Sequence, residues 1–243
     1  MSKQCQQGSQ PPKFCKCNMG VRESDGFSAV CVLAGSPSGV VKRGDMKILI
    51  GCNKSGKEAM AFQELGHDAW TCDILPAEYE GNHIQDDVLK HLNDGWAMGI
   101  FNPDCTYLAN SGVRWLFERP ERWELMIKAC DFFNKLLNAP IPRICVENPI
   151  QHKYARQYIR KPDQIIQPYH FGDMESKATC LWLIGLPPLM SRYSGGEGIK
   201  QSVFREPPSP ERKTNRARSF QGIANAMAEQ WGWTPYSKEK PQK

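Results

Sequence analysis

Two short motifs bring together the groups needed to attack an electron-poor ring. Cys105 lies in Asn102-Pro103-Asp104-Cys105-Thr106, an irregular prolyl turn. Glu147 lies in Glu147-Asn148-Pro149, at the end of an apolar run. Covalent catalysis on such a ring needs a thiolate to attack and an acid to protonate the ring nitrogen. Taken singly, the cysteine reads as inert and the glutamate as an ion-pair partner. Following a first strand of cofactor-binding type, the pair gains weight.

That first strand runs into Gly51-Cys52-Asn53-Lys54-Ser55-Gly56-Lys57-Glu58. The run nearly matches the phosphate-binding pattern GxxxxGK[ST], but Glu58 replaces the hydroxyl that would ligate magnesium. A carboxylate there would face the phosphates it should help to bind, so nucleotide hydrolysis stays a remote alternative. A glycine-containing turn that opens a helix also suits other adenosine-bearing cofactors. Asp73 follows about twenty residues on, where an acid can accept both ribose hydroxyls. Asp86 and Asp87 can hydrogen-bond an adenine amino group, or cap the helix they open.

Alternating elements must position these groups. Strands are expected over 47–52, 68–73, 97–102, 143–148 and 180–186. Helices are expected over 57–65, 86–93, 121–137 and 223–231. The helix at 121–137 carries Trp123, Met126, Ile127, Cys130, Phe133 and Leu137 on one face. Strand–helix alternation predicts an α/β fold with a doubly wound, mostly parallel sheet and a working site beyond the carboxyl ends of the strands.

The chain has 243 residues, 40% hydrophobic and 23% charged, which suits a globular domain. It has no apolar run of the roughly 18 residues that a membrane helix needs. The net charge of +5 is unevenly spread. Residues 1–45 hold six Lys/Arg and three Asp/Glu, 46–189 hold fifteen and eighteen, and 190–243 hold ten and five. The ten cysteines follow no signal peptide, so a reduced, cytoplasmic setting is expected. Cys52, Cys130 and Cys145 read as buried thiols. Cys5, Cys15, Cys17 and Cys31 lack the spacing of a zinc site, and no metal is expected. Residues 1–45 read as a disordered leader, with Met46 a possible start, and 46–243 as one catalytic domain.

In this setting the chain resembles the cytosine carbon-5 DNA methyltransferases, more closely a short bacteriophage form, over roughly 46–232. ILIGCNKSGKEAMAFQELGHDAWTCDILP is similar to the S-adenosylmethionine-binding opening of that family, and NPDCTYLANSGVRWL to its nucleophile motif. ICVENP resembles the Glu-Asn motif, FGDMESKATCLWLIGLPPL the block that follows, and RARSFQGIANAMAEQWGW the closing motif. The resemblance implies a Rossmann-like methyltransferase fold, S-adenosylmethionine as cofactor, DNA as partner and a monomer in a bacterial or phage-infected cytoplasm. It implies that Cys105 attacks carbon 6 of cytosine while Glu147 protonates ring nitrogen 3. Asn148 would order the turn, and Lys177 would contact the cytosine carbonyl. Gly51, Cys52, Ser55, Gly56, Asp73, Asp87, Pro103 and Asn225 would hold the cofactor. A duplex substrate would have to flip its base into the pocket.

The chain departs from that family at three places. Pro103-Asp104-Cys105 stands where two prolines usually precede the cysteine, and the adjacent carboxylate should raise the thiol pKa. The Gly-rich cofactor turn is reduced to Ser55 and Gly56. Only 190–218 is available where a recognition region normally lies. Within that basic loop, Arg205, Arg212, Lys213, Arg216 and Arg218 are read as phosphate contacts. The alternatives are a weak or inactive relative that only binds nucleic acid, and a methyltransferase acting on a free nucleotide.

Overall fold

Apolar runs that can be buried on both faces favour central parallel strands. In β1 (Lys47–Gly51) the last four residues are all buried, and β4 (Met98–Phe101) is buried throughout. The computed structural model describes residues 46–233, without the side chains at 213 and 214. The expected leader over 1–45 and its four cysteines lie outside the described residues.

β2 (Asp68–Asp73), β3 (His83–Gln85), β5 (Ile144–Pro149), β6 (Gln164–Ile166) and β7 (Thr179–Ile184) complete a seven-stranded sheet. Its order is β3-β2-β1-β4-β5-β7-β6. The five strands from β3 to β5 pair in parallel, and β7 runs antiparallel to both of its neighbours. The chain leaves β1 toward β2 on one side and later returns as β4 on the other. This reversal opens a crevice at the carboxyl ends of β1 and β4. The fold is thus a Rossmann-like, mostly parallel α/β sheet.

The helices are α1 (Lys57–Glu64), α2 (Trp115–Glu118), α3 (Arg122–Leu137), α4 (Ser202–Arg205), α5 (Arg212–Ala217) and α6 (Gln221–Trp231). Alternate residues of each central strand point to opposite faces. Ile48, Ile50, Met98 and Ile100 pack with Phe62 of α1 and with Met227 and Trp231 of α6. Leu49, Phe101 and Val146 pack with Met126, Cys130 and Phe133 of α3 on the other face. Ile127 leaves the expected stripe and is 38% exposed, while Leu136 takes a buried place.

Three segments differ from the sequence expectation. The helix expected over 86–93 is a single 3-10 turn, Val88–Lys90, capped by Asp87 through a 3.0 Å bond from the Leu89 amide. The short strands β3 and β6 were not expected. The basic stretch at 190–218 contains the helices α4 and α5.

Gly56 has a backbone requirement. It precedes α1 with φ of 73°, and a Cβ there would stand 2.3 Å from the Tyr79 ring. Gly56→Ala should therefore destabilise the fold by about 1–3 kcal/mol for the left-handed backbone alone, measured by urea unfolding. A midpoint equal to wild type would contradict this account.

Candidate functional site

The crevice at the switch point is a cavity of about 590 Å³. The turn after β1 supplies Cys52, Asn53, Lys54 and Ser55. The end of β2 supplies Asp73, followed by Ile74 and Leu75, and the segment after β3 supplies Asp86, Asp87 and Val88. Asn102 and Asp104 enter from the end of β4. Phe132 of α3 and residues 217–219 complete the wall.

Of the expected cofactor residues, Cys52, Ser55, Asp73 and Asp87 are brought together here. Gly51 is not on the wall: it is buried in β1, where an added Cβ would lie 2.6 Å from Phe101 and from Val88. Its lack of a side chain serves strand packing. Gly56 serves the backbone geometry described above. Pro103 is buried outside the lining, and its carbonyl accepts a 2.8 Å bond from Asn148 Nδ2. Asn225 is exposed on α6, where its Oδ1 accepts from Gln221 at 2.9 Å.

The β1 turn is organised from within. Asn53 Oδ1 accepts from Ser55 Oγ at 3.0 Å and from the Gly56 amide at 3.1 Å. Asn53 Nδ2 donates to Glu58 Oε2 at 2.9 Å. Glu58 therefore turns inward and does not face the cavity, contrary to the position expected from the phosphate-loop comparison. The nearby lysines are also engaged: Lys54 pairs with Glu78 at 2.8 Å, and Lys57 Nζ donates to the Ser219 carbonyl at 2.8 Å. A triphosphate would meet Asp73, Asp86, Asp87 and Asp104 with few free cations to offset them.

Burial raises the Glu58 pKa, opposed by hydrogen bonds from Ser219 and Asn53. A carboxyl raised in the folded state gives stability that is full below its unfolded value and lost as pH rises through its folded value. Glu58→Gln keeps an acceptor for Asn53 and removes that loss. Its Tm should exceed that of wild type, by a margin that widens as pH rises above the ordinary carboxylate range. A constant margin would show that Glu58 does not titrate in this range.

The expected catalytic groups lie beside this cavity. Asn102 Nδ2 donates to Glu147 Oε2 at 2.9 Å, linking the ends of β4 and β5. Asn148 is buried and holds the Pro103 carbonyl, so it orders the turn that carries Cys105. The Cys105 carbonyl accepts from the Leu108 and Ala109 amides at 3.0 and 2.9 Å, which bends the chain sharply after the thiol. Burial raises the Cys105 pKa first, then the charges of Asp104 and Glu147, while Lys177 lowers it. Four expected or suspected groups thus share one electrostatic neighbourhood. Lys177 Nζ also stands 5.5 Å from the centre of the Phe220 ring.

Cys52 was expected to be a buried thiol, but it lines the cavity with φ of 58°. Its pKa is pushed well up by burial and by Asp73, with Cys72, Asp87 and Asp104 adding to the rise. Cys130 and Cys145 are fully buried, as expected. Asn102 was missed as a site residue. Its place at a strand end, directly before a proline, was the available signal.

The basic residues do not form one open surface. Arg205 is exposed at the end of α4. Arg212 donates to the Glu206 carbonyl, and Arg216 is half-buried. Arg218 lines the cavity. The side chain of Lys213 lies outside the described residues. Among the described residues, no helix is long and apolar enough to cross a membrane, and no cluster of candidate metal ligands occurs.

No family model matches the chain, and no curated protein does. Among solved structures, it is similar to a candidate DNA modification methyltransferase encoded within a prophage (E. coli), at 14% identity and a TM-score of 0.38. That match covers 57% of this chain and 46% of the other. A second is the S. pombe Dnmt2 methyltransferase, at 16% identity and a TM-score of 0.38, covering 66% of this chain and 58% of the other. The chain spans about half the length of the solved structures it matches.

Proposed function

We propose that this protein transfers a methyl group from S-adenosylmethionine to carbon 5 of cytosine in DNA, through a covalent Cys105 adduct assisted by Glu147. The observation that carries this reading is an acidic cavity at the switch point adjoining the Cys105–Glu147–Lys177 group. S-adenosylmethionine carries a sulfonium and an ammonium against one carboxylate, so an acidic lining favours it over a nucleoside triphosphate. Asp73 suits the ribose hydroxyls, and Ile74, Leu75 and Val88 offer apolar surface to the adenine. Once bound, the cofactor supplies the methyl group.

The chain's own residues do the remaining work. The Cys105 thiolate adds to carbon 6 of the ring while Glu147 holds a proton at nitrogen 3, which makes carbon 5 nucleophilic. Asn102 orients the Glu147 carboxyl through its amide. Lys177 supplies positive charge near the thiol, which favours the thiolate and suits the cytosine carbonyl. After transfer, loss of the carbon-5 proton expels Cys105 and restores the aromatic ring. Phosphate contact falls to Arg205, Arg216 and Arg218, within the domain over 46–243.

The test is incubation with tritiated S-adenosylmethionine and DNA, followed by digestion and chromatography of the bases. The expected result is label in 5-methylcytosine. Intact cofactor binding with no label in DNA would overturn the reading. Label in free deoxycytidine monophosphate alone would move the substrate to the free nucleotide.

A further inference from the structure

The stretches that follow the Cys105 and Glu147 motifs meet on one surface. Backbone bonds join them: the Asn110 amide donates to the Ile150 carbonyl and the His152 amide to the Leu108 carbonyl, both at 3.0 Å. Where they meet, Phe117 of α2, Trp123 of α3 and Tyr154 form an edge-to-face cluster with ring centres 5.0 to 5.8 Å apart. Trp123 and Tyr154 are half-buried, but Phe117 is 63% exposed. Contacts of this kind fix the position of a ring. Phe117 is therefore presented to solvent from a built support, which sets it apart from a stray surface side chain.

Cations are held over the neighbouring rings. The Arg114 and Arg119 guanidinium carbons stand 4.4 and 4.8 Å from the centre of the Trp115 ring, and Lys153 Nζ stands 5.0 Å from that of Tyr154. All three are exposed, and none is in an ion pair among the described residues. Arg122 is committed inward: it lies 4.5 Å from the Tyr107 ring and donates to the Thr106 carbonyl at 3.0 Å. With Arg122 counted, the four cations outnumber Glu118 and Glu121, the acids of the same stretch. Gly112 packs on the same Thr106 carbonyl, where an added Cβ would stand 3.2 Å away. The whole group is thus pinned to the residue that follows Cys105.

The combination narrows the partner. An apolar partner would leave the cations without counter-charge, and an acidic peptide would leave the Phe117 face unused. A duplex offers phosphates, but the faces of its bases are already stacked on one another. An unpaired strand supplies both a free base face and regularly spaced phosphates. We propose that this surface binds a single strand of DNA beside the nucleophile turn, with a base on Phe117 and phosphates on Arg114, Arg119 and Lys153. The proposal rests on the methyl-transfer reading for the choice of DNA, and on the ring and cation geometry for the unpaired strand. A strand held there already has its bases exposed, so its cytosine would reach Cys105 without being flipped from a duplex.

The test reads binding without cofactor, so its failure leaves methyl transfer to a duplex standing, and failure of transfer leaves strand binding standing. A short fluorescein-labelled oligonucleotide, the duplex of the same sequence and polyglutamate are titrated by fluorescence anisotropy, with Tm read on every variant. The expected result is that the strand binds roughly tenfold or more tightly than the duplex. Phe117→Ala should weaken strand binding roughly tenfold, and Phe117→Trp should restore it. The double variant Arg114→Gln/Arg119→Gln, on exposed positions, should lower the slope of log affinity against log salt by about 1.4, at about 0.7 per single-strand phosphate contact. If Phe117→Ala lowers Tm, the arginine pair and the strand-to-duplex ratio decide. Equal affinity for strand and duplex, or an unchanged salt slope in the arginine pair, overturns the proposal. Unchanged strand affinity in a stably folded Phe117→Ala overturns it as well. Polyglutamate bound as tightly as the strand would mark an acidic protein partner and overturn it too.

Discussion

Replacing Cys105 with alanine should lower methyl transfer to cytosine by about four orders of magnitude or more, while leaving cofactor affinity and Tm near wild type. The reason is chemical: without a nucleophile at carbon 6, carbon 5 does not acquire enough electron density to accept a methyl group. The geometry makes the result interpretable. Cys105 is only half-buried, does not line the switch-point cavity, and contributes its carbonyl to the turn, which alanine retains. Tritium transfer and cofactor titration on the same sample separate the two effects. Methylation that survives the substitution would leave transfer standing and remove the covalent route.

Asp104→Asn should act in the opposite direction, raising the neutral-pH rate about threefold to tenfold. Asp104 Oδ1 accepts from the Thr106 amide at 2.9 Å and from the Thr106 hydroxyl at 2.5 Å. Asparagine keeps that acceptor and removes only the charge. Burial would still raise the Cys105 pKa, but the second-largest cause, the Asp104 charge, would be gone. The sign follows from the reactive form. Below the thiol pKa, the thiolate fraction and the rate rise about tenfold per pH unit. Lowering the pKa moves the whole profile to lower pH and leaves the high-pH plateau in place. A parallel change at every pH would instead show that Asp104 acts on substrate binding. If Asp104→Asn and Asp104→Pro both remain inactive while binding DNA and cofactor, the nucleic-acid-binding alternative gains.

Where the sequence was informative, one short stretch set the outcome. The apolar runs of β1, β4 and β5 are buried on both faces, so composition alone identified them, and α3 showed itself by its spacing. The ends of those strands then had to converge at the switch point, which is why Cys52, Asp73 and Cys105 could be proposed as neighbours. The edge strands β3 and β6 have three residues each and contain Gln or His, too short and polar to show a period. The antiparallel course of β7 depends on a crossover that no local pattern records. Gly51 and Gly56 were expected as cofactor contacts from the family resemblance, and the structure adds a packing requirement at each. One accommodates Phe101 and the other Tyr79, both distant enough in sequence to be invisible locally. Glu58 turned inward for a related reason: Asn53 is a local partner, but Ser219 lies far along the chain and no local pattern records it.

Ser219 also bears on how the protein comes into being. Lys57 reaches its carbonyl across 162 positions, Glu58 takes its hydroxyl, and α6, just beyond it, packs on α1. During synthesis the first strand and its turn leave the ribosome long before the segment that closes the cavity. The cavity is not complete until residues 217–219 have emerged, and joining such distant segments is slow because loop closure precedes any gain from contact. Any ligand bound in that cavity would then link early and late parts of the chain and resist their separation.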